Sequence, residues 1–165
     1  MSIVLYRVDE RLIHGQVVVG WGNQLHPDEI VVVDDELAGS AWEQELYAMG
    51  LPSELHTQFA PVEAARAQLP EWRANDKRMV VLTRNVGTMR RLAATGAMKG
   101  EDVNIGGIHY APGREAVLPY VYLSRDETNE LRALEGEGVR ISARDLPGAR
   151  RVEFKEMLKG YAKGS

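Results

Sequence analysis

Apolar residues arrive along this chain in two alternating rhythms: short unbroken runs of aliphatic residues, and longer stretches in which they recur every three or four positions. Ile3-Val4-Leu5 is the first run. A charged segment follows, and from Gly15 onward Val17, Val18, Trp21 and Leu25 share one helical face that ends near His26-Pro27. Ile30-Val31-Val32-Val33 then reads as a strand buried on both faces, stopping at Asp34-Asp35. The spacing of Leu37, Ala41, Leu46 and Met49 predicts one helix from Glu36 to Met49, closed by Gly50 and Pro52. Glu54 to Ala60 reads as a short strand, and Pro61 to Leu69 as a helix with Pro61 at its first position. Met79-Val80-Val81-Leu82 is the next buried strand, and Val86 to Thr95 a helix ending at Gly96.

The second half is less regular. Val103-Asn104-Ile105 is a short strand, Gly106-Gly107 a break, and His109 to Arg114 a turn around Pro112-Gly113. Tyr120 to Leu123 is strand-like, Asp126 to Leu134 helical, Val139 to Ile141 a late strand, and Val152 to Tyr161 an amphipathic helix. Strands alternating with helices of about ten residues call for a mostly parallel sheet, covered by helices on both faces and joined by right-handed crossovers. The expected fold class is therefore α/β, a doubly wound sheet, with residues 1–165 forming a single domain.

Composition narrows the choices. A chain of 165 residues, 44% hydrophobic and 27% charged, can bury the core of one ordinary domain. Its net charge of -4 argues against a general nucleic-acid binder. The absence of cysteine removes disulfides, thiolate metal sites and a cysteine nucleophile together. No apolar run approaches the roughly 20 residues of a membrane span, and the N-terminus lacks a signal-like core, so the mature chain is expected to start near Met1.

The charged segment between the first strand and the first helix is where chemistry concentrates. In doubly wound sheets ligands bind beyond the carboxyl ends of the strands, where the strand order reverses, and His14 follows the first strand. It opens the helix, where the first backbone N–H groups have no acceptor of their own and favour anions. Arg11, three residues earlier, brings a permanent charge and a two-point fork that fits phosphate or carboxylate. Arg11, His14 and the N–H groups of Gly15 and Gln16 can thus surround one oxyanion. A free imidazole loses its proton near about pH 6.5, so a neutral ring nitrogen can attack phosphorus at neutral pH. Low basicity also makes imidazole a good leaving group, which suits a phosphoryl relay.

Blander roles remain open for the same residues. A histidine that opens a helix can be a surface or capping residue. Arg7 is read as a structural ion pair with Asp9 or Asp34. Asp34 and Asp35 are expected to cap the second helix, orientation of Arg11 or the imidazole being the functional alternative. Thr83, Arg84 and Asn85 should reach the same sheet edge from the fourth strand. Trp21 and Val17 are expected in the core, and His26, His56 and His109 show no metal spacing and count as structural or exposed. No phosphate-binding Gly-Lys-Ser/Thr loop, complete dinucleotide fingerprint or zinc-protease histidine pair occurs, so neither cofactor nor metal is called for.

The run Arg7-Val8-Asp9-Glu10-Arg11-Leu12-Ile13-His14-Gly15-Gln16-Val17, with Trp21 one turn on, closely resembles the opening of the IIB component of the mannose/fructose/sorbose-type sugar phosphotransferase system. Val31-Val32-Val33-Asp34-Asp35-Glu36-Leu37-Ala38 and Val103-Asn104-Ile105-Gly106-Gly107-Ile108-His109 are similar to further segments of that family, so the likeness spans essentially the whole chain. It implies a mainly parallel sheet of about seven strands. It implies further that the protein is a protein-phosphohistidine-sugar phosphotransferase. His14 would be loaded on Nδ1 by a IIA phosphohistidine and discharged onto a sugar bound by membrane IIC and IID subunits, with Arg11 holding the phosphoryl group.

The implied place of work is the cytoplasm, at the inner face of the membrane through IIC and IID. Leu82-Thr83-Arg84-Asn85 departs from the family pattern in lacking a proline, and the given length leaves no room for a fused IIA domain, so a separate donor is expected. Asp9, Asp34, Thr83 and Arg84 are candidates for supporting roles behind His14, Arg11, Gly15 and Gln16. The oligomeric state, a homodimer included, is left open. Two other functions compete: a regulator of the same fold that senses phosphorylation without sugar transfer, and a small hydrolase with His14 as general base and Asp34 as its orienter.

Overall fold

The computed structural model describes residues 2–164, the side chains of 161–164 excepted. Its strands are β1 (Ile3–Val8), β2 (Glu29–Val33), β3 (His56–Ala60), β4 (Met79–Thr83), β5 (Asp102–Ile105), β6 (Glu115–Leu118), β7 (Val121–Leu123), β8 (Arg140–Ala143) and β9 (Val152–Glu153). Seven of them make one sheet in the order β3-β2-β4-β1-β5-β8-β9, and only the β8–β9 pair is antiparallel. Chain order runs outward from β1 to β3 on one side and returns through β4 to β5, β8 and β9 on the other. The doubly wound α/β sheet is as expected, and β1 lies at its centre.

The helices divide between the two faces. Helices α4 (Val62–Ala74), α5 (Val86–Leu92), α6 (Arg125–Gly136) and α7 (Phe154–Gly164) cover one face, where Leu69, Met89, Leu131 and Met157 meet Val81, Val103 and Ile141. On the other face, Leu12, Ile13, Val17 and Leu37 pack on Ile30, Val32, Val80 and Leu82. Both faces of β2 and β4 are therefore buried, which is why their sequences are unbroken aliphatic runs rather than alternating ones.

Several elements depart from the periodic reading. The helix that begins behind His14 is wound as a π-helix over Gln16–Trp21 before continuing as α1 (Gly22–Leu25). Val17 and Trp21 are its buried residues, as anticipated, and the wider winding of such a segment is a common mark of functional sites. The single helix expected over Glu36–Met49 is two: α2 (Asp35–Ala38) and α3 (Ala41–Ala48), broken where Ser40 turns extended at φ -125°. The break lets Leu37 enter the core and turns the rest of the supposed face outward, with Leu46 57% and Met49 72% exposed.

Helix α4 runs to Ala74 with Pro70 inside it, and Pro61 occupies the capping position ahead of the first helical residue. The 120–123 strand pairs with the unanticipated β6 in a separate two-stranded ribbon, and the seventh strand of the main sheet is the two-residue β9.

Asp34 caps α2 as expected, accepting from the Leu37 N–H at 3.0 Å. Asp35 does not cap that helix. Its carboxylate accepts from the Val62 N–H at 2.9 Å, so it caps α4, and it pairs with Arg91 at 3.0 Å. The Val62 N–H, and after it Arg91, hold the Asp35 carboxyl below its ordinary range.

Candidate functional site

The segment after β1 is pinned from both sides. The Asp9 N–H donates to the Thr83 carbonyl at 3.0 Å, at the end of β4, and the Glu10 N–H donates to the Gly107 carbonyl at 2.9 Å, just past β5. The chain then folds back, Leu12 N–H to Asp9 carbonyl at 3.0 Å, with Leu12 in the left-handed region at φ 55°. That conformation costs a non-glycine residue roughly 1–2 kcal/mol. It is offset here because the turn drives Leu12 and Ile13 into the core between the loop and the sheet.

His14 emerges from this turn and starts the π-helix, its carbonyl accepting from both Val17 and Val18 N–H at 3.0 and 2.9 Å. The N–H groups of Gly15 and Gln16 are left without an acceptor among the described residues. Among the described residues nothing stands within 4 Å of the place a side chain would occupy on Gly15.

Asp9 organises the site from beneath. Fully buried, it places Oδ2 3.1 Å from Arg7 Nη2, 3.3 Å from the Gly107 N–H and 3.7 Å from His14 Nε2. Its Oδ1 accepts from the Arg11 backbone N–H at 3.1 Å and from Arg11 Nε at 3.4 Å. One carboxylate thereby fixes Arg11 and faces the His14 ring. The Arg11 side chain is 38% exposed and is steadied by a further bond from Nη2 to the Gln16 side-chain oxygen. Gln16 thus serves the site through its side chain as well as its N–H.

Arg7 makes the structural ion pair anticipated, with Asp9 and not with Asp34. Its guanidinium also donates to Asn104 Oδ1 and to the carbonyls of Arg144 and Asp145, and lies 5.3 Å from the centre of the Trp21 ring. Burial pushes its pKa down, and the Asp9 carboxylate pushes it back up.

The His14 ring is 16% exposed and sits with Nδ1 2.9 Å from the Leu12 carbonyl. A carbonyl can only accept, so Nδ1 carries the proton in this rotamer. Nε2 is buried without a hydrogen-bond partner, facing Asp9.

The other candidates stand further back. Thr83 is buried and donates its hydroxyl to the Asn85 carbonyl, so it touches the loop through its own carbonyl alone. Arg84 Nε lies 4.0 Å from Asp34 Oδ2, and the pair makes no hydrogen bond or ion pair to Arg11 or His14. Asp34 is therefore not the orienter of the imidazole; the Leu12 carbonyl takes its Nδ1–H, and Asp9 is the carboxylate that faces its Nε2.

Two features were not visible in the sequence. Glu10 receives bonds from Arg114 and from His109 Nδ1 at 3.3 Å, tying the loop to the 108–114 turn, while Arg114 forks onto Glu127 at 2.8 and 2.7 Å. Gly107 lets the chain pass against the Arg11 guanidinium, since a side-chain carbon there would lie 3.2 Å from Nη2. The Gly106-Gly107 doublet was the available signal, legible as a break but not as a close approach.

Residues 3–164 match the protein family described as the PTS system sorbose subfamily IIB component. The N-acetylgalactosamine-specific phosphotransferase enzyme IIB component 1 of Escherichia coli K12 is 29% identical over 158 residues, 94% of this chain and 98% of that protein. The mannose-specific EIIAB component of the same organism is 25% identical over 96% of this chain but only 49% of its own length. Among solved structures, manxB from Thermoanaerobacter tengcongensis superposes with a TM-score of 0.82 at 31% identity over 96% of each chain.

Proposed function

Because the chain belongs to the sorbose subfamily of IIB components, the sugar phosphotransferase modules of the phosphotransferase system, we propose that His14 is its phosphoryl carrier and Arg11 the clamp on the phosphoryl oxygens. The observation that carries this reading is the convergence on one turn of Arg11, seated on Asp9, of His14, facing the same carboxylate at 3.7 Å, and of the unpaired Gly15 and Gln16 N–H groups.

In the reaction we propose, a IIA phosphohistidine presents its phosphoryl group over the loop. The His14 ring swings off the Leu12 carbonyl and its proton moves from Nδ1 to Nε2 by way of solvent, where Asp9 Oδ2 accepts it in a hydrogen bond. The freed Nδ1 lone pair forms the new P–N bond as the donor's P–N bond breaks. Arg11 and the two N–H groups neutralise the oxygens during this step. Transfer onward breaks the His14 P–N bond and joins phosphorus to a sugar hydroxyl, with the sugar held by membrane IIC and IID subunits. The whole chain works as one carrier unit, docked at the inner face of the membrane through those subunits; no helix among its described residues is long and apolar enough to cross a membrane itself.

The test is incubation with a phosphorylated IIA donor. Wild type is expected to take up phosphate that is labile in acid and stable in alkali, and His14→Ala to take up none. Equal uptake by His14→Ala would refute the reading. Arg11→Ala is expected to leave the fold intact and to destabilise the phosphorylated form by roughly 1.5–3 kcal/mol, the scale of one charged hydrogen-bonding contact. Equilibrium phosphate distribution between donor and acceptor measures that difference.

A further inference from the structure

The sheet face that carries α1, α2 and α3 is covered only in part. In β5 and β8, Val103, Ile105, Ile141 and Ala143 belong to the core on the opposite side, so Asn104 and Ser142 look out on this one. Though only 8% and 7% exposed, they line a groove of about 550 Å³ that runs across β1, β5 and β8, with Trp21 along one wall and Arg144 and Arg151 at the end where β8 turns back into β9. Parallel strands are ordinarily buried on both faces, so this floor of polar side chains is unusual.

The charges along it are uneven. Its two acidic residues are paired from outside the groove, Glu101 with Arg73 at 3.3 Å and Asp102 with Arg140 at 2.7 Å, the Arg151 charge acting on Asp102 as well. The basic end is a different matter. Ser142 pairs with Glu153 and Ala143 with Val152 in the antiparallel ladder, so Arg144 and Arg151 are the next residues of the two strands, just beyond its paired end. Arg151 has one ion pair, Nε to Glu153 at 3.0 Å, and Arg144 has none among the described residues, its Nε spending itself on the Ala149 carbonyl. An anion reached by both guanidiniums would use their Nη donors, which have no partner among the described residues. Asn104 Oδ1 is occupied by Arg7, which leaves its amide N–H groups, with the Ser142 hydroxyl, for polar atoms further along.

We propose that this groove is a second binding site, for a small phosphate monoester that carries hydroxyl groups, its phosphate between Arg144 and Arg151 and its hydroxyls on Asn104 and Ser142. The site is wired to the phosphoryl loop. Asn104 and the Arg144 carbonyl hold Arg7, Arg7 holds Asp9, and Asp9 holds Arg11. Occupancy therefore changes the surroundings of Trp21, whose indole N–H donates to the Asp145 carbonyl at the groove's edge.

Glucose 6-phosphate, glucose and inorganic phosphate serve as probes, in calorimetric titrations and in NMR titrations that follow the Trp21 indole N–H signal. Saturable binding of glucose 6-phosphate is expected, with a shift of that signal, and none of glucose. Arg144→Gln and Arg151→Gln should each weaken binding by about tenfold or more, while His14→Ala leaves it unchanged. Binding lost in His14→Ala but kept in both arginine variants would place the anion on the phosphoryl loop and overturn the proposal, as would no saturable binding. Inorganic phosphate binding as tightly as glucose 6-phosphate would overturn the assigned role of Asn104 and Ser142.

Discussion

Asp9→Ala is expected to lower the stability of the protein by about 3–5 kcal/mol, the usual cost of stripping one partner from a buried ion pair. Arg7 remains fully buried in that variant, with its charge facing Asn104, two carbonyls and the Trp21 ring but not the carboxylate to which it was bonded. The effect should reach the chemistry as well, because the same carboxylate holds the Arg11 backbone and side chain and faces His14 Nε2 at 3.7 Å. Urea unfolding measures the first effect and the rate of phosphate uptake under native conditions the second. Adding Arg7→Met to Asp9→Ala removes the stranded charge and should recover part of the stability but none of the transfer rate. If stability and rate returned together, Asp9 would be serving the fold alone.

Gly106→Ala is expected to be nearly as damaging, at about 3 kcal/mol or more, for a steric reason. A methyl group there would sit 2.7 Å from Arg7 Nε and closer still to its Cζ and Nη2. An exposed arginine would swing aside. Arg7, fully buried, cannot do so without giving up its bonds to Asp9, Asn104 and the 144–145 carbonyls. The neighbouring Gly107→Ala is expected to cost less in stability, since the half-exposed Arg11 guanidinium can retreat into solvent, and to act chiefly on transfer. Thermal unfolding of the two variants side by side checks the contrast, which would fail if Gly107→Ala proved the less stable.

What could be read in advance follows from how local each feature is. The β2 and β4 runs announced themselves because burial on both faces leaves no polar position in them, and the loop from Asp9 to His14 because charge between an apolar run and a helical period is conspicuous. The break between α2 and α3 was hidden: Leu37, Ala41, Leu46 and Met49 keep a helical period, and only the demand that Leu37 reach the core while Asp35 caps α4 separates them. That demand comes from residue 62, far along the chain. The ribbon of β6 and β7 and the two-residue β9 were missed or misplaced for a similar reason, as pairing partners are chosen by tertiary packing and a two-residue strand has no period. Asp9 appeared as one charge among several. Its centrality arises only when Gly107, Arg7 and His14 converge on it, through contacts up to 98 positions apart.

The most direct measurement is phosphorus NMR of protein labelled with nitrogen-15 in histidine, after incubation with phosphoenolpyruvate, enzyme I, the histidine phosphocarrier and a matching IIA protein. The account predicts a phosphoramidate resonance coupled to Nδ1 of one histidine, present in wild type and missing from His14→Ala. A wild-type protein that stays unphosphorylated beside phosphorylated IIA, or a signal that survives in His14→Ala, would contradict it.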